Sequence, residues 1–340
     1  MSYQVTLQPS MLDFSANPDT SVLQSALDAG LMLPYGCRDG ACGSCKGRVL
    51  EGSVDHGKSP ETTLPVAERE TGFALFCCAR PTSDLVVEVR DVRRITDIPI
   101  KKLPCRVQNI VRVADDVIVL TLKLPANDTF RFLAGQYIDF LVAGGKRRSF
   151  SIANAPEREG EMELHVRLVE GGSFTGHVFN TMKERDILRF EGPLGSFYLR
   201  ESAKPIVMVA GGTGFAPMKG LIEHMIATGN HRPVTLYWGA RDRAGLYQFE
   251  LAREWEASLP GFKFIPVISD KPEADWQGRT GLVHLAARAD FPDMRGVQVY
   301  ACGAPPMIDA ARADYTTQCG LPADEFFADA FNFSSDSITT

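Results

Sequence analysis

The chain has 340 residues, a net charge of -6 and an apolar content of 44%, and its length predicts two or three globular domains. The acidic balance argues against a nucleic-acid partner, because such proteins are usually basic. No apolar run approaches the ~18 residues of a membrane span, and the N-terminus lacks signal-peptide features. We therefore expect a cytoplasmic protein with no membrane partner, whose eight cysteines are ligands or free thiols rather than disulfides.

The first predicted domain covers residues 1–92, and a charged, aperiodic linker follows at 93–103. Alternating residues at the start of this domain indicate a β-hairpin. The segment SVLQSALDAG then predicts a helix, with Asp19 or Thr20 as its N-cap and Gly30 at its end.

Two further domains are predicted, at 104–202 and 203–340. The first of these has short alternating strands and one short helix, FTGHVFNTMK, which fits a small antiparallel β-barrel. The second alternates short apolar strands with helices, which predicts a parallel sheet covered on both faces. The expected fold class is therefore multidomain, α+β and α/β.

Three cysteines lie close together at Cys37, Cys42 and Cys45, and the pair Cys77-Cys78 follows later. Zinc ribbons prefer two C-x2-C units, and only one is present. The spacing C-x4-C-x2-C…C matches the plant-type [2Fe–2S] pattern. This resemblance to plant-type ferredoxins implies a β-grasp ferredoxin domain. The spacing leaves the fourth ligand open between the adjacent cysteines. The stretch FCCARPTSD resembles the plant ferredoxin ending, and that resemblance selects Cys77 while Cys78 packs as a small apolar residue.

Residues 147–154, RRSFSIAN, resemble the R-x-[YF]-[ST] strand of the ferredoxin-NAD(P) reductase superfamily. This resemblance implies an FAD-binding barrel. Arginine presents a fork of donors suited to a flavin phosphate, and Phe150 two residues later lies on the same side of the strand and can pack on the ring. The family places Ser151 near the flavin N5 edge. The implied FAD residues of this strand are Arg148, Ser149, Phe150 and Ser151.

A second stretch, GGSFTGHVF, places glycines before a short helix, where backbone amides can face an anion. In the family this segment binds the flavin pyrophosphate, and the preceding strand lies near the flavin. The implied residues are Gly172, Ser173, Phe174 and Thr175, with His165 and Val166 on the strand. A histidine on the barrel surface is an equally good interpretation of His165.

The stretch AGGTGFAP joins a predicted strand to a predicted helix, and glycines there let phosphate approach a helix N-terminus. G-G-T-G-x-A-P is the pyridine-nucleotide signature of the same superfamily. It implies that NADH or NADPH binds at Gly211, Gly212, Thr213, Gly214 and Pro217.

YACG lies at the predicted end of another parallel strand, on the edge where open α/β sheets bind ligands. In the family, the cysteine-glycine pair lies beside the nicotinamide, which implies this role for Cys302 and Gly303; a buried structural cysteine is the alternative. Near the C-terminus, Asp329 and Phe331 match a carboxylate and an aromatic residue close to the flavin. The implied catalytic residues are Ser151, Cys302 and Asp329.

The coenzyme choice depends on the turn after the second strand of the nucleotide domain. A 2′-phosphate usually needs an arginine there, and Arg241 and Arg243 are present. Asp242 between them would repel phosphate, so we expect NADH, with NADPH as the alternative.

The order of the domains predicts electron flow from NADH through FAD to the [2Fe–2S] cluster, because a flavin exchanges both electron pairs and single electrons. No acid–base pair for substrate chemistry is apparent, so a separate protein acceptor is expected to dock around the cluster loop.

Over residues 3–331 the chain most resembles the CDP-6-deoxy-delta-3,4-glucoseen reductase family, which implies an iron–sulfur sugar dehydratase as acceptor. Reductase components of aromatic-ring oxygenases, Rieske-type or di-iron, are also similar. A redox sensor without turnover is the third hypothesis, and the nine residues from Asn332 are predicted to be a disordered tail.

Overall fold

The structure, a computed structural model, describes residues 2–89, 92–94, 98–126, 128–270 and 272–331. These residues divide into two units. The first unit takes the chain up to Ile100 together with Gly195–Phe197, and the second takes the remainder. The tail predicted from Asn332 lies outside the described residues.

The first unit is built on a five-stranded mixed sheet. Its elements are β1 (Tyr3–Gln8), β2 (Leu12–Ala16), α1 (Val22–Asp28), β3 (Leu31–Met32), β4 (Lys46–Glu51), β5 (Val54–Asp55), α2 (Val66–Glu70), β6 (Phe73–Leu75), β7 (Arg80–Pro81), β8 (Leu85–Glu88) and β9 (Arg93–Arg94). The sheet order is β2-β1-β8-β4-β6, in which β1 and β8 are parallel and the other pairs antiparallel. This mixed sheet with a helix packed on it is the β-grasp arrangement that the sequence predicts.

Helix α1 begins one residue later than the sequence predicts. Its N-cap is Ser21, whose hydroxyl accepts a hydrogen bond from the Gln24 amide at 3.2 Å. The predicted caps are therefore wrong: the Thr20 hydroxyl bonds the Ser25 hydroxyl instead, and the Asp19 amide bonds the Asn17 side chain. Gly30 does end the helix, in the left-handed conformation with φ 77°.

The second unit begins with an antiparallel barrel. Its elements are β10 (Lys101–Ala114), β11 (Val117–Lys123), β12 (Tyr137–Leu141), β13 (Arg147–Ser151), β14 (Glu161–Arg167), α3 (Ser173–Asn180) and β15 (Ile187–Leu194). The order is β13-β12-β15-β10-β11-β14, and a bridge between Ile152 and Leu164 joins the two ends and closes the barrel. Strand β10 begins inside the predicted linker, because Lys101 to Leu103 already pair with β15.

A six-stranded parallel sheet completes the second unit. Its elements are β16 (Ile206–Gly211), α4 (Phe215–Thr228), β17 (Val234–Ala240), α5 (Phe249–Ser258), β18 (Phe262–Ile268), β19 (Arg279–Thr280), α6 (Val283–Asp290), β20 (Gln298–Gly303), α7 (Pro305–Thr317) and β21 (Phe326–Ala330). The order is β19-β18-β17-β16-β20-β21. Strands β17, β18 and β19 therefore lie in turn on one side of β16, and β20 and β21 lie on its other side. The order of the strands reverses between β16 and β20, which are parallel, and open sheets bind ligands at the carboxyl ends of the strands beside such a point.

The central strand β16 explains why this sheet forms. Its residues from Ile206 to Ala210 are all buried, as expected for a parallel strand covered on both faces. Within the described residues, no helix combines the length and apolar character needed to cross a bilayer.

Candidate functional site

The four predicted cluster cysteines come together as two pairs. The Cys45 thiol lies 3.1 Å from the Cys77 sulfur. The amide of Cys37 lies 3.4 Å from the Cys42 sulfur, and the amide of Cys42 lies 3.3 Å from the Cys37 sulfur. Hydrogen bonding with Cys42 raises the pKa of Cys37, and hydrogen bonding with Cys45 raises that of Cys77. Two pairs of thiols with amides directed at sulfur are the donor set that a two-iron cluster needs.

Cys78 occupies a different position from its neighbour. Its sulfur lies 3.6 Å from that of Cys77, and a Cβ placed on Gly40 would approach the Cys78 sulfur at 2.9 Å. Cys78 therefore packs tightly against the backbone of the cluster loop. Among the described residues, no group of three or more His, Cys, Asp or Glu side chains is placed to hold a metal ion.

Strand β13 presents its serines and its phenylalanine on opposite faces. The Ser149 hydroxyl donates to Asp139 Oδ1 at 2.6 Å, and the Ser151 hydroxyl donates to Asp329 Oδ2 at 3.2 Å. The Phe150 ring lies 5.8 Å from the ring of Phe140 and 5.5 Å from that of Phe174, towards the barrel core. Phe150 keeps one part of its surface exposed, so the predicted packing against the flavin ring stays a prediction.

A cavity of about 690 Å³ lies at the amino end of α3. Its lining includes Gly171, Gly172 and Ser173, the residues that lead into the helix. The Thr175 hydroxyl instead folds the preceding loop, since it accepts from the Val169 amide at 3.1 Å. Backbone amides at a helix start favour an anion, whereas the carboxylates of Asp116 and Glu170 in the same lining oppose one. Binding of the FAD pyrophosphate at this cavity therefore stays a prediction. On the barrel strand, the Arg148 guanidinium donates to the carbonyl of Arg147 at 2.7 Å.

His165 has protein partners at both ring nitrogens. Nδ1 lies 2.8 Å from the Tyr247 hydroxyl and Nε2 lies 3.0 Å from Glu163 Oε1. The ring is fully buried on the outer face of the barrel, so His165 is a barrel-surface residue that is covered by protein rather than exposed to solvent. Val166, the next residue, points into the barrel core, and its side chain is unavailable to a ligand.

The glycine turn between β16 and α4 packs directly on the end of β20. Gly211 ends β16, residues Gly212–Gly214 form a 3₁₀ turn that includes Thr213, and Pro217 lies in the first turn of α4. A Cβ on Gly214 would lie 2.2 Å from the carbonyl oxygen of Cys302. The buried indole of Trp238 donates to the carbonyl of Gly212 at 2.9 Å and stacks on Phe215 at 3.9 Å. These contacts hold the turn in one conformation.

The three predicted catalytic residues meet beside this turn. Cys302 lies directly opposite Asp329 in the pairing of β20 with β21, and Asp329 accepts the hydrogen bond from Ser151. Burial, and then the Asp329 carboxylate, raise the pKa of the Cys302 thiol well above its usual value. Cys302 is therefore a neutral thiol at physiological pH. Just beyond, the Phe331 amide donates to the carbonyl of Gly303 at 2.9 Å.

Sequence reasoning missed Asp139 as a residue that orients β13. It is buried, it accepts from Ser149, and its second oxygen lies 3.4 Å from the Arg147 guanidinium. The sequence does mark Asp139 as unusual, because it is a charged residue within the otherwise apolar strand segment YIDFL. The same signal, a charge among apolar residues, marks Glu163 in MELHV and Lys219 in APMKGL.

The turn after β17 carries the residues expected to choose the coenzyme. Arg243 lies 3.2 Å from Asp275 Oδ2 and 3.9 Å from Glu273 Oε2. Asp242 accepts a hydrogen bond from the Gly245 amide at 2.9 Å, and this bond fixes the position of the Asp242 carboxylate in the turn. The charge of Arg243 is therefore already offset by carboxylates.

The domain families of the chain follow the same order as its sheets. Residues 5–82 match the 2Fe-2S iron-sulfur cluster binding domain, residues 104–198 the oxidoreductase FAD-binding domain, and residues 208–313 the oxidoreductase NAD-binding domain. Together with the site, these matches define an NAD(P)H-dependent oxidoreductase that contains FAD and a [2Fe–2S] cluster.

The chain belongs to the family of iron–sulfur flavoprotein reductases within the ferredoxin-NAD(P) reductase superfamily. It is 41% identical to CDP-6-deoxy-L-threo-D-glycero-4-hexulose-3-dehydrase reductase of Yersinia pseudotuberculosis, over 97% of this chain and 99% of the relative. It is 40% identical to the reductase component of phenol 2-monooxygenase from a Pseudomonas species, over 92% of this chain and 89% of the relative. A solved structure of a cytochrome P450 reductase from Amycolatopsis has a TM-score of 0.78 and 34% identity, covering 97% of this chain and 98% of its own.

Proposed function

We propose that this reductase passes electrons from NADH through FAD and the [2Fe–2S] cluster to a separate protein acceptor. The observation that carries the proposal is the hydrogen bond of 3.2 Å between Ser151, on the predicted flavin strand, and Asp329, which lies opposite Cys302 at the nucleotide crevice. The residues expected at the flavin and those expected at the nicotinamide thus meet at one place.

Each cofactor has a proposed set of residues. Two cysteine pairs hold the cluster, one pair for each iron: Cys37 with Cys42, and Cys45 with Cys77. The proposed FAD residues are Arg148, Ser149, Phe150, Ser151, Val166, Gly172, Ser173, Phe174, Thr175 and Phe331. The proposed nucleotide residues are Gly211, Gly212, Thr213, Gly214, Pro217, Cys302 and Gly303. We no longer assign the side chain of His165 to the flavin, because Glu163 and Tyr247 occupy both its nitrogens.

When bound, FAD accepts an electron pair as hydride from NADH and releases single electrons, which is how a flavin links a nicotinamide to an iron–sulfur cluster. The chain's own residues prepare this exchange. Ser151 is held by Asp329, so its hydroxyl has a fixed orientation beside the nucleotide crevice. Cys302 stays protonated and therefore contacts a nicotinamide as a neutral group, without forming a covalent bond. The barrel and the parallel sheet exclude water from this meeting point, where Ser151, Cys302 and Asp329 are all buried.

Replacing Ser151 with alanine is expected to slow reduction of the bound flavin by NADH about tenfold, the equivalent of one hydrogen bond. Stopped-flow absorbance of the flavin measures the rate. In a double-mutant cycle with Asp329→Ala, the two losses should not add, because each variant breaks the same bond. Fully additive losses would show that the two side chains act independently.

We propose NADH as the coenzyme. Asp242 is fixed in the turn after β17, and Arg243, one of the two arginines there, is paired with acidic residues. A second phosphate would therefore meet repulsion from Asp242, and Arg241 is the arginine left to offset it. The ratio of kcat/KM for NADH to that for NADPH tests the assignment, and a ratio below one contradicts it.

An iron–sulfur sugar dehydratase is our first proposal for the acceptor. It rests on the family resemblance and on the similarity to the Yersinia reductase. The terminal component of an aromatic-ring oxygenase is the second, since the phenol 2-monooxygenase reductase component is nearly as similar. A redox sensor without turnover is the third, and rapid NADH-driven reduction of cytochrome c or ferricyanide would contradict it. We propose a cytoplasmic location, because four of the eight cysteines serve the proposed cluster and such ligands need a reducing compartment.

Cross-linking of the reduced protein in an extract of its source organism identifies the acceptor directly. Redox partners use small, transient interfaces that pull-down loses, so covalent trapping before purification is needed. Capture of a pyridoxamine-phosphate-dependent iron–sulfur dehydratase supports the first proposal. Capture of a Rieske-type or di-iron oxygenase supports the second and contradicts the first.

The acceptor is expected to dock around the cluster loop, where Arg38 lies between two of the cysteines and Lys46 directly follows the third. Arg38→Glu or Lys46→Glu should lower the rate of electron transfer to the true acceptor by about tenfold at low salt, because charge complementarity mainly sets the association rate. NADH-to-ferricyanide activity should persist. Lys263→Glu, an exposed lysine on β18, is the control; an equal effect from it would argue against docking at the loop.

A further inference from the structure

Helix α4 carries a buried lysine that faces the barrel. The Lys219 side chain is 5% exposed, and its Nζ lies 3.1 Å from Glu163 Oε1 on β14 and 3.3 Å from the carbonyl oxygen of Ala153. A lysine is almost never buried unless it is paired. These two partners belong to the barrel, whereas the lysine belongs to the helix that follows the nucleotide turn and also bonds Glu223 on that helix.

The partner carboxylate is fixed from several sides. Glu163 also accepts from His165, and His165 in turn bonds the Tyr247 hydroxyl, which follows β17. Burial raises the pKa of Glu163, but the bond to His165 and the charge of Lys219 outweigh it and lower that pKa to about 2. Glu163 is therefore ionised at physiological pH.

Two further charges border this pair. Arg158 lies 3.3 Å from Glu163, and Glu223, one turn along α4 from Lys219, bonds the lysine ammonium. The lysine, Glu163, His165 and Tyr247 form a connected polar network between the barrel and the parallel sheet. We refer to these four residues as the joint.

The backbone beside the joint is also in close contact. A Cβ placed on Gly220 would lie 3.0 Å from the carbonyl oxygen of Ile152 and 3.3 Å from that of Asn154. Residues 152–154 directly follow Ser151, and α4 directly follows the glycine turn. The contact between Gly220 and residues 152–154 therefore fixes the start of α4 against the end of β13. The glycine turn before α4 carries the proposed nucleotide residues, and β13 carries the proposed flavin residues.

We infer that Lys219 is a positioning residue for hydride transfer: its buried bonds to Glu163 and Ala153 set the separation between the glycine turn and Ser151. The inference rests on the proposed function. A buried ion pair suits this role because its bonds form at only one relative position of α4 and the barrel. An apolar contact, by contrast, tolerates small shifts between the two surfaces. Fixing a relative position is the best-attested use of buried polar groups. Small errors of placement have large effects on transfer rates.

The double variant Lys219→Met/Glu163→Gln tests this role. Removing both charges avoids an unpaired buried ion, which would destabilise the fold. We expect the rate constant of flavin reduction at saturating NADH to fall by about 10- to 100-fold. The affinity for NAD+ and the visible flavin spectrum should not change. Hydrogen exchange of the holoprotein gives a readout besides activity: the Ala153 amide, bonded to the Glu163 carbonyl at 2.8 Å, and the amides of α4 should exchange faster.

Glu157→Gln is the matched control. It removes the charge from an exposed contact of 2.8 Å between Glu157 and His224, which also joins α4 to the barrel loop. We expect wild-type flavin reduction from it, and an equal loss would overturn the assignment to the buried pair. If the double variant does not fold, Glu163→Gln alone weakens the bond to Lys219 while Glu223 still pairs with the lysine, and it should slow flavin reduction about fivefold; a wild-type rate there overturns the inference.

The outcomes separate this inference from the proposed function. A double variant with faster exchange at the joint but wild-type flavin reduction overturns the positioning role and leaves the proposed function intact. Wild-type protein that does not reduce its flavin with NADH contradicts the proposed function, and the positioning role is then overturned with it.

Discussion

Replacing Cys77 with serine is expected to abolish the visible and electron paramagnetic resonance signals of the [2Fe–2S] cluster, together with electron transfer to the protein acceptor. The physical reason is the pairing of the thiols: Cys77 lies 3.1 Å from Cys45, so its loss leaves one iron with a single cysteine. NADH-driven reduction of ferricyanide should persist, because the flavin needs no thiol from the cluster loop.

Cys78→Ser is the matched control for this experiment. Cys78 is adjacent in the sequence and similarly buried, but its sulfur packs against Gly40. The variant should retain the cluster signals, with a small loss of stability from placing a hydroxyl in this tight contact. The opposite pattern, a cluster that survives Cys77→Ser and disappears with Cys78→Ser, would show that the ligand assignment is wrong.

Replacing Gly214 with alanine is expected to lower NADH-driven flavin reduction by more than about 100-fold. The added methyl group would lie 2.2 Å from the carbonyl oxygen and 2.6 Å from the carbonyl carbon of Cys302, and 3.0 Å from the Gly303 nitrogen. All three are backbone atoms, so the turn and the end of β20 must separate. That movement displaces both the amides proposed to bind phosphate and the Cys302 thiol. Stopped-flow flavin reduction and NAD+ affinity should both show the loss.

Gly296→Ala provides the control for a glycine change in the same domain. No atom lies within 4 Å of a Cβ at Gly296, and its backbone is not in the left-handed region. We expect unchanged kinetics and equal or slightly higher stability, because alanine restricts the unfolded chain. The Gly214 variant should also keep its flavin and cluster spectra. Wild-type kinetics in Gly214→Ala would mean that the turn does not bind the nucleotide.

Local motifs made most of the architecture predictable. The cysteine spacing, the strand RRSFSIAN and the turn AGGTGFAP each specify a short backbone path and its chemistry within about ten residues. The three sheets then follow from strand length and alternation, and the predicted fold class is confirmed. The error at the start of α1 arose because Ser21, Thr20 and Asp19 are all good caps, and only the tertiary packing decides among them.

The joint was not predictable in the same way. Glu163 and Lys219 are 56 positions apart, and no local rule says which face of β14 meets which face of α4. His165 shows the same difficulty: its position on a barrel strand was evident, but its partner Tyr247 comes from a loop of the other sheet. Charged residues inside apolar segments mark such places, but they do not identify the partner.

The rigid contacts around the glycine turn also bear on the entropy of coenzyme binding. The Trp238 indole holds the Gly212 carbonyl, and Gly214 is pressed against Cys302. A loop ordered before its ligand arrives does not lose conformational freedom on binding, a loss that otherwise costs about 0.5–1.5 kcal/mol for each immobilised side chain. The coenzyme can therefore be recognised through few contacts, and the oxidised coenzyme can leave without a loop having to unfold. Such a preformed site suits a protein that must exchange its coenzyme in every cycle.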